Sequence, residues 1–327
     1  MIRFVVRRLL WTVPTLFLIT FLVFVALRVG TDPVQSYVRI NPRASQAKIQ
    51  QYRETNGLVG STIEQYFTWL RHFVTFNWGR SIKGSRPVWP ELKEAMANTM
   101  VLGTLATVVG IVIGLGIGIV SALRPRSLFD QTSTAGAFVS ISVPPFVSAI
   151  LLQLLFAILL SRWFGLDKPL LPTSGVYPAG HTGFDPLVRL KYMVLPVTVV
   201  SIQIIAVYSR YMRSSLLEVK ASDYLRTARA KGISERRVLV RHALRNALIP
   251  VVTVAAINIG GIIGGLIITE RIFENKGMGD FFLTAYQNGD FPQLMPWMVF
   301  VVLGVVLANL LADILYGVLD PRIRLDG

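Results

Sequence analysis

Cysteine is absent from the 327 residues, and histidine occurs only at His72, His181 and His242. A chain without cysteine forms no disulfide, thiolate metal site or cysteine nucleophile, and its compartment stays undecided on this ground. The three histidines are far apart, and no H-x-x-x-H or paired-carboxylate spacing accompanies them. The sequence therefore predicts neither a metal site nor a hydrolytic centre.

Charge is also scarce. Only 16% of the residues are charged, against about 25% in soluble domains, and the mean hydropathy is +0.55. This deficit is typical of a chain surrounded mostly by membrane lipids. The net charge of +15 does not indicate a nucleic-acid partner, because the basic residues lie between long apolar runs rather than on a soluble fold.

Six apolar stretches are long enough to cross the hydrocarbon core, which takes about 20 helical residues. Each must be a helix because backbone polar groups in lipid have to be satisfied within the segment. We therefore expect an all-α, polytopic membrane protein with about six transmembrane helices. The predicted spans are 9–30, 99–123, 132–160, 193–212, 247–269 and 296–318.

The first span follows Arg3, Arg7 and Arg8, as a secretory signal peptide would. However, the apolar run from Leu9 to Val29 exceeds the usual signal core of about 7–15 residues, and no A-x-A-like cleavage site follows it. We interpret it as a retained span, with a signal peptide as the alternative.

Basic residues set the expected orientation. Four pieces, counted together with the adjoining Arg210, hold 17 of the 33 lysines and arginines with six acidic residues, whereas the remaining loops cover more chain and balance their charge better. The positive-inside rule then places both termini in the cytoplasm. The predicted cytoplasmic pieces are 1–8, 124–131, 213–246 and 319–327.

Glycines recur every four residues in two spans, which predicts close helix packing in a bundle. The alternative is that glycine is merely common in membrane helices. The ladders are Gly110, Gly114 and Gly118 in the second span, and Gly260 with Gly264 and Gly261 with Gly265 in the fifth.

The loop between spans four and five has an internal order. Ser222 and Asp223 predict the start of a helix that Gly232 would end, and Ser234 would begin a second helix leading into the fifth span. Such a projection suits docking into a groove on a soluble partner. The alternative is a loop that is basic only because of topology and anionic lipid heads.

Here a resemblance becomes specific. Residues 224–250, YLRTARAKGISERRVLVRHALRNALIP, resemble the cytoplasmic loop of binding-protein-dependent ABC importer permeases of the oligopeptide/dipeptide family. Of the general signature E-A-A-x3-G-x9-I-x-L-P, only Ala228, Gly232 and Leu244 are kept. The departures resemble the variant R-T-A-R-A-K-G…H-A-L-R-N of the first, B-type, peptide-permease subunit. The stretches 7–24, 270–295 and 311–327 are also similar to that subunit.

The resemblance implies a type I ABC importer permease fold in a bacterial or archaeal cytoplasmic membrane. It implies half of a translocation path for di- or oligopeptides, in a heterodimer with a second, similar permease. An extracytoplasmic substrate-binding protein would deliver the cargo. The chain would be no enzyme and would hold no cofactor, since two partner ATPase subunits would bind ATP and Mg. Rigid-body rocking would switch the path between its two faces.

The expected organisation has three parts: a tail and first span at 1–30, an exterior segment at 31–98, and a core permease domain at 99–327. The exterior segment is interpreted as short amphipathic helices on the bundle surface. The core would include a cytoplasmic coupling loop at 213–246 and an exterior loop at 270–295.

The resemblance also assigns site residues. In the coupling loop these are Ser222, Asp223, Tyr224, Arg226, Thr227, Ala228, Arg229, Lys231, Gly232, His242 and Arg245. In the exterior loop that would meet the binding protein they are Glu270, Arg271, Gly277, Met278 and Gly279, with a plain exterior turn as the alternative. Polar side chains inside apolar sequence usually face a cavity or a neighbouring helix, which makes Gln203 and Asn258 candidates for the translocation path, with interhelical hydrogen bonding as the alternative.

Other functions remain as alternatives. The same architecture could carry another solute, such as a nickel chelate. An ion-coupled secondary transporter would need ionisable residues at mid-bilayer and often an inverted repeat; we find no repeat, and Asp313 is peripheral. An intramembrane enzyme would need a nucleophile–base pair or metal ligands in its spans.

Overall fold

The computed structural model describes residues 2–30 and 32–319. The predicted tail from residue 320 onward, with eight of the 17 residues of the C-terminal motif, lies outside the described residues, as does the side chain of Asp313. Within the described part the chain is helical, and the only extended pairing is an isolated bridge between Arg80 and Pro87.

Fifteen α-helices and two π-helical turns follow one another along the described chain. They are α1 (Ile2–Gly30), α2 (Pro33–Ile40), α3 (Gln46–Thr55), α4 (Thr62–Val74), α5 (Val88–Leu123), α6 (Leu128–Ser142), α7 (Pro145–Leu154), a π turn (Leu155–Leu159), α8 (Leu160–Trp163), α9 (Pro186–Lys220), α10 (Asp223–Ala230), α11 (Glu235–Arg237), a π turn (Val238–Ala243), α12 (Leu244–Ile263), α13 (Ile267–Ile272), α14 (Met278–Asn288) and α15 (Phe291–Leu319).

Five stretches within the described residues are long and apolar enough to cross a membrane: Leu10–Gly30, Val88–Leu123, Pro145–Trp163, Pro186–Lys220 and Phe291–Ala312. The predicted fifth span corresponds to α12, a helix of 20 residues in which several side chains are not described. The helices connect at two ends. We call the end with residues 124–127 and 221–234 the basic end, and the end with 32–87, 164–185 and 264–290 the opposite end.

Two predicted spans need correction. The span 132–160 is divided at Val143 and Pro144, because proline lacks the N–H that would continue the helix and disfavours helical geometry in the residue before it. The span 247–269 ends as a helix at Ile263, since Gly265 adopts a left-handed φ of +98° and begins a new direction.

The first glycine ladder packs α5 against α9. A Cβ on Gly118 would lie 2.5 Å from the Ser209 carbonyl oxygen and 2.7 Å from Met212 Cβ. Gly114 is similarly tight, with the Ile205 carbonyl oxygen 3.2 Å away. The packing prediction is therefore confirmed for this ladder.

Two members of the second ladder, Gly261 and Gly264, have no such role within the described residues, whereas a Cβ on Gly265 would clash with the Gly279 backbone. Gly260 lies outside the residues whose packing is described. A Cβ on Gly261 would meet nothing within 4 Å, and on Gly264 it would make only an ordinary contact with Val301.

The segment between α1 and α5 covers the opposite end of the bundle. Its helices α2–α4 pack on α1 and α15 through one aromatic-rich cluster, whose buried members include Phe24, Tyr66, Trp69 and Phe291. Buried Asp290, just before α15, ties the segment down by accepting hydrogen bonds from Ser81 Oγ at 2.5 Å and Ile82 N at 3.1 Å.

Candidate functional site

The short helix α10 projects at the basic end, between α9 and α11. The predicted helix and its glycine stop are confirmed, because α10 spans Asp223–Ala230 and Gly232 takes a φ of +75°. One detail differs. Ser222 occupies the N-cap position, but its Oγ donates to the Val219 carbonyl oxygen at 2.5 Å instead of accepting from the α10 backbone.

Two side chains seat α10 on the bundle. Leu225 is fully buried and Ala228 is 9% exposed, and both belong to a core cluster with Met212 and Leu216 of α9 and Val238 of the following π turn. Burying a leucine stabilises its position by about 1.5–3 kcal/mol. The projection is therefore packed on the core and is not a free loop.

The remaining side chains of α10 face outward and are partly paired among themselves. Arg226 contacts Asp223 at 3.3 Å, and Arg229 donates two hydrogen bonds of 3.0 Å to the Glu235 carboxylate. These hydrogen bonds lower the pKa of Glu235. Tyr224 Oη accepts from Asn246 Nδ2 at 2.7 Å. Thr227 and Lys231 are also exposed.

The second predicted helix also forms, but with a π turn that the sequence did not indicate. It begins after Ser234 and runs without a break from Glu235 to Ile263. His242 lies in the π turn and is half-buried, whereas Arg245 is exposed at the start of α12.

The two path candidates line one cavity of about 370 Å³ between α5, α7, α9 and α12. Gln203 donates to the carbonyl oxygens of Ser140 and Val143 at 2.8 and 3.2 Å, two groups at the helix break. Asn258 donates to Tyr208 Oη at 3.1 Å. Both amides therefore link helices while bordering the cavity, and their role in transport stays a prediction.

The exterior loop holds a buried carboxylate. Glu270 is fully buried in α13, and its two oxygens accept hydrogen bonds from Thr99 Oγ1 at 2.5 Å, Gly279 N at 2.7 Å, and the backbone N–H groups of Leu266 and Asp280 at 3.2 Å. The sequence-based expectation had Glu270 facing the binding protein. In the structure it fixes the loop to α5 instead.

The glycines around Met278 are needed for space. The backbone of Gly277 has an ordinary φ of −96°, so its conformation does not require glycine. Space does at Gly279, because a Cβ there would lie 2.5 Å from Ile267 Cα. Met278 is buried, and its carbonyl oxygen accepts from Trp297 Nε1 at 2.7 Å. Of the five residues assigned to this loop contact, Arg271 presents a charge outward, paired with Asp280 at 2.7 Å.

One buried ion pair was not predicted from the sequence. Buried Asp130, in the first turn of α6, accepts from Arg213 of α9 at 2.5 and 2.8 Å and from the Arg126 backbone N–H at 2.8 Å. The hydrogen bond from Arg213 lowers the pKa of Asp130 to about 2. In the sequence, Asp130 was only one acidic residue among basic neighbours, with no spacing that links it to position 213.

Two sequence families match the chain in succession. The family described as "Binding-prot-dependent transport system membrane comp, N-term" matches residues 1–115. The family described as "Binding-protein-dependent transport system inner membrane component" matches residues 114–325, more than half of the chain. The chain belongs to this family. The permease is therefore an inner-membrane component of an ABC importer and not an enzyme, and membership implies separate ATPase subunits and a substrate-binding protein.

Relatives match the permease over its whole length. The "Oligopeptide transport system permease protein AppB" of Bacillus subtilis (strain 168) is 36% identical over 99% of this chain and 100% of its own. The "Dipeptide transport system permease protein DppB" of Escherichia coli (strain K12) is 33% identical over 99% of both chains. The solved inward-facing MetNI methionine ABC transporter aligns with a TM-score of 0.52 at 17% identity, covering 72% of this chain and 99% of that one.

The fold and the importer function expected from the sequence are thereby confirmed. The permease has the all-α, membrane-spanning architecture of type I importer subunits. Family membership also removes the secondary transporter and the intramembrane enzyme from consideration.

Proposed function

We propose that this permease forms half of a translocation path for di- and oligopeptides. The observation that carries the proposal is the full-length similarity, at 33–36% identity, to relatives named for oligopeptide and dipeptide transport. The cavity beside Gln203 and Asn258 supports it. Both amides already bond to the protein, so the lining offers few free polar groups, as a path for varied peptide side chains requires.

The proposed assembly has four further subunits. A second, similar permease would complete the path, a binding protein would deliver the peptide at the opposite end, and two ATPases holding ATP and Mg would dock at the basic end. The basic end and both termini would then be cytoplasmic, in agreement with the positive-inside rule. The exposed face of α10 supports this placement, because a short, packed helix with outward Arg226, Arg229 and Lys231 fits a groove with acidic groups.

Transport in proteoliposomes tests the proposal. We expect uptake of labelled di- or tripeptide to require the second permease and the binding protein. It should also require ATP on the side of the membrane where the ATPases are bound. Uptake by this chain alone, unaffected by removal of the ATPases, would refute the importer reading. ATP-driven uptake of a nickel chelate but of no peptide would support the importer function and refute peptide as its cargo.

The coupling role of α10 needs a second test, since Arg229 also makes an internal ion pair. Arg229→Glu removes that pair, whereas the double variant Arg229→Glu with Glu235→Arg restores it with the charges exchanged. If Arg229 contacts an ATPase, we expect both variants to lose ATPase co-purification and ATP-driven uptake. Lys48→Glu on α3, an equal charge change at the opposite end, is the control and should behave as wild type.

Membrane insertion, measured by the yield in washed membranes, should be unchanged in all three variants. Full transport by the exchanged pair would show that Arg229 acts only within the permease. That result would remove this residue from the proposed docking surface.

A further inference from the structure

Helix α4 carries three stripes at helical spacing. One stripe packs against the bundle: Tyr66, Trp69 and Phe73. A second is polar: Glu64, Thr68, Arg71 and Thr75. The third is apolar and faces away from the rest of the described protein: Ile63, Phe67 and Val74. In the third stripe Ile63, Phe67 and Val74 are 58%, 59% and 65% exposed.

The contacts of α4 with α1 indicate how deep α4 lies in the membrane. The phenol oxygen of Tyr66 lies 2.9 Å from Thr20 Oγ1 and donates to the Phe17 carbonyl oxygen at 3.3 Å. Arg28 is the first charged residue at this end of α1. Thr20 is eight residues further in, which is about 12 Å at 1.5 Å per helical residue. Helix α4 therefore lies beside the apolar part of α1.

Helix α15 gives an independent measure. Phe73, at the end of α4, contacts Phe300 with ring centroids 6.3 Å apart, and Trp78 contacts the same ring at 5.5 Å. Phe300 is ten residues after the charged Asp290, or about 15 Å along the helix. Two points on α4, Tyr66 and Phe73, are thus held at the level of the hydrocarbon core.

At that level the outer surface of α1 is already apolar and exposed. Leu18 and Leu22 are 59% and 56% exposed, and the span to which they belong faces lipid on its free side. The exposed stripe of α4 continues this lipid-facing surface. Amphipathic helices with one polar and one apolar face lie in the membrane plane with the apolar face about 5–10 Å below the head groups.

We propose that α4 is an in-plane membrane helix of the leaflet at the opposite end, with Ile63, Phe67 and Val74 against lipid acyl chains. The polar stripe then faces the head groups and water. The occupant of this surface is lipid, and neither the second permease nor the binding protein covers it.

The chain has no cysteine, so single spin labels need no background substitutions. We would label Phe67→Cys and Arg71→Cys on the two outward stripes of α4, with Leu22→Cys on α1 as the lipid reference and Lys48→Cys on α3 as the aqueous reference. The full chain, purified with its accompanying subunits and placed in phosphatidylethanolamine/phosphatidylglycerol vesicles, would be tested for collisions with oxygen and with water-soluble nickel chelate.

The label at Phe67 should prefer oxygen as the label at Leu22 does, at a depth of about 5–10 Å below the phosphates. The label at Arg71 should prefer the nickel reagent, like Lys48. Equal nickel accessibility at Phe67 and Arg71 would overturn the proposal, because α4 would then lie in water. Protection of Phe67 from both reagents would also overturn it, because a protein partner would cover the stripe. ATP-driven transport by Phe67→Cys confirms folding of the labelled protein.

Discussion

Replacing the buried carboxylate Glu270 is expected to loosen the loop between α12 and α15. Glu270→Ala removes the acceptor of the Thr99 hydroxyl and of three backbone N–H groups, the buried one of Gly279 and the part-buried ones of Leu266 and Asp280. An orphaned buried donor costs about 1–3 kcal/mol. The N–H of Gly279 alone therefore gives a destabilisation of about 1–3 kcal/mol, and the two part-buried donors add to it.

Thr99 belongs to the same hydrogen-bond network and offers a second way to perturb it. Its hydroxyl accepts from Met278 N at 2.7 Å and donates to Glu270, so Thr99→Val should cost about 1–3 kcal/mol by orphaning that N–H. Thr99→Ser keeps the hydroxyl and is the matched control. Because both residues serve one network, the double variant Glu270→Ala with Thr99→Val should lose less than the two single losses added together.

Thermal melting of the purified complex in detergent, followed by fluorescence-detected size exclusion, measures these differences. The order of stability should be wild type, Thr99→Ser, Thr99→Val and then Glu270→Ala. A melting temperature for Glu270→Ala equal to that of Thr99→Ser would refute the reasoning. In that case Glu270 would be free to meet a partner, as the sequence alone had suggested.

Three further predictions concern packing and charge. Gly118→Ala should destabilise the complex by about 1–3 kcal/mol through overpacking against α9, whereas Gly116→Ala, with nothing within 4 Å, should be neutral or slightly stabilising in the same melting assay. Burial raises the pKa of Asp290 from 3.8 to about 6. Between about pH 4 and 6 the folded protein therefore holds a proton on Asp290 that the unfolded chain has released. The free energy of unfolding falls as the pH rises through this range. Asp290→Asn should flatten this dependence between pH 4.5 and 7. Asp130→Asn should lower the melting temperature by the equivalent of about 1–3 kcal/mol, and an unchanged value at pH 7 would show that its pair with Arg213 contributes nothing.

The apolar runs predicted the spans well because length and hydropathy dictate helices in lipid. They also predicted two spans that are too long, because the hydropathy of a residue is the same whether its helix continues or ends there. Pro144 was visible as a possible break, but a proline also sits inside α15 at Pro296 without ending the helix. Only the packing around each proline distinguishes the two cases.

The candidate site was predictable where function depends on local order. Residues 222–232 carry their own start, turn and charge, so α10 could be placed from sequence. Glu270 could not, because its partners Thr99 and Gly279 come from a distant helix and from a turn whose path is set by tertiary contacts. A glutamate beside an arginine in a polar loop has the sequence pattern of a surface pair.

Helix α10 is joined to its neighbours by very short connections. Residues 221–222 link it to α9, and residues 231–234 link it to the continuous helix that begins at Glu235. Gln203 lies about 26 Å along the first of these helices and Asn258 about 35 Å along the second. With so little slack in the connections, we expect a displacement of α10 to be passed on to both helices that line the cavity. The width of the cavity should then change with the position of α10.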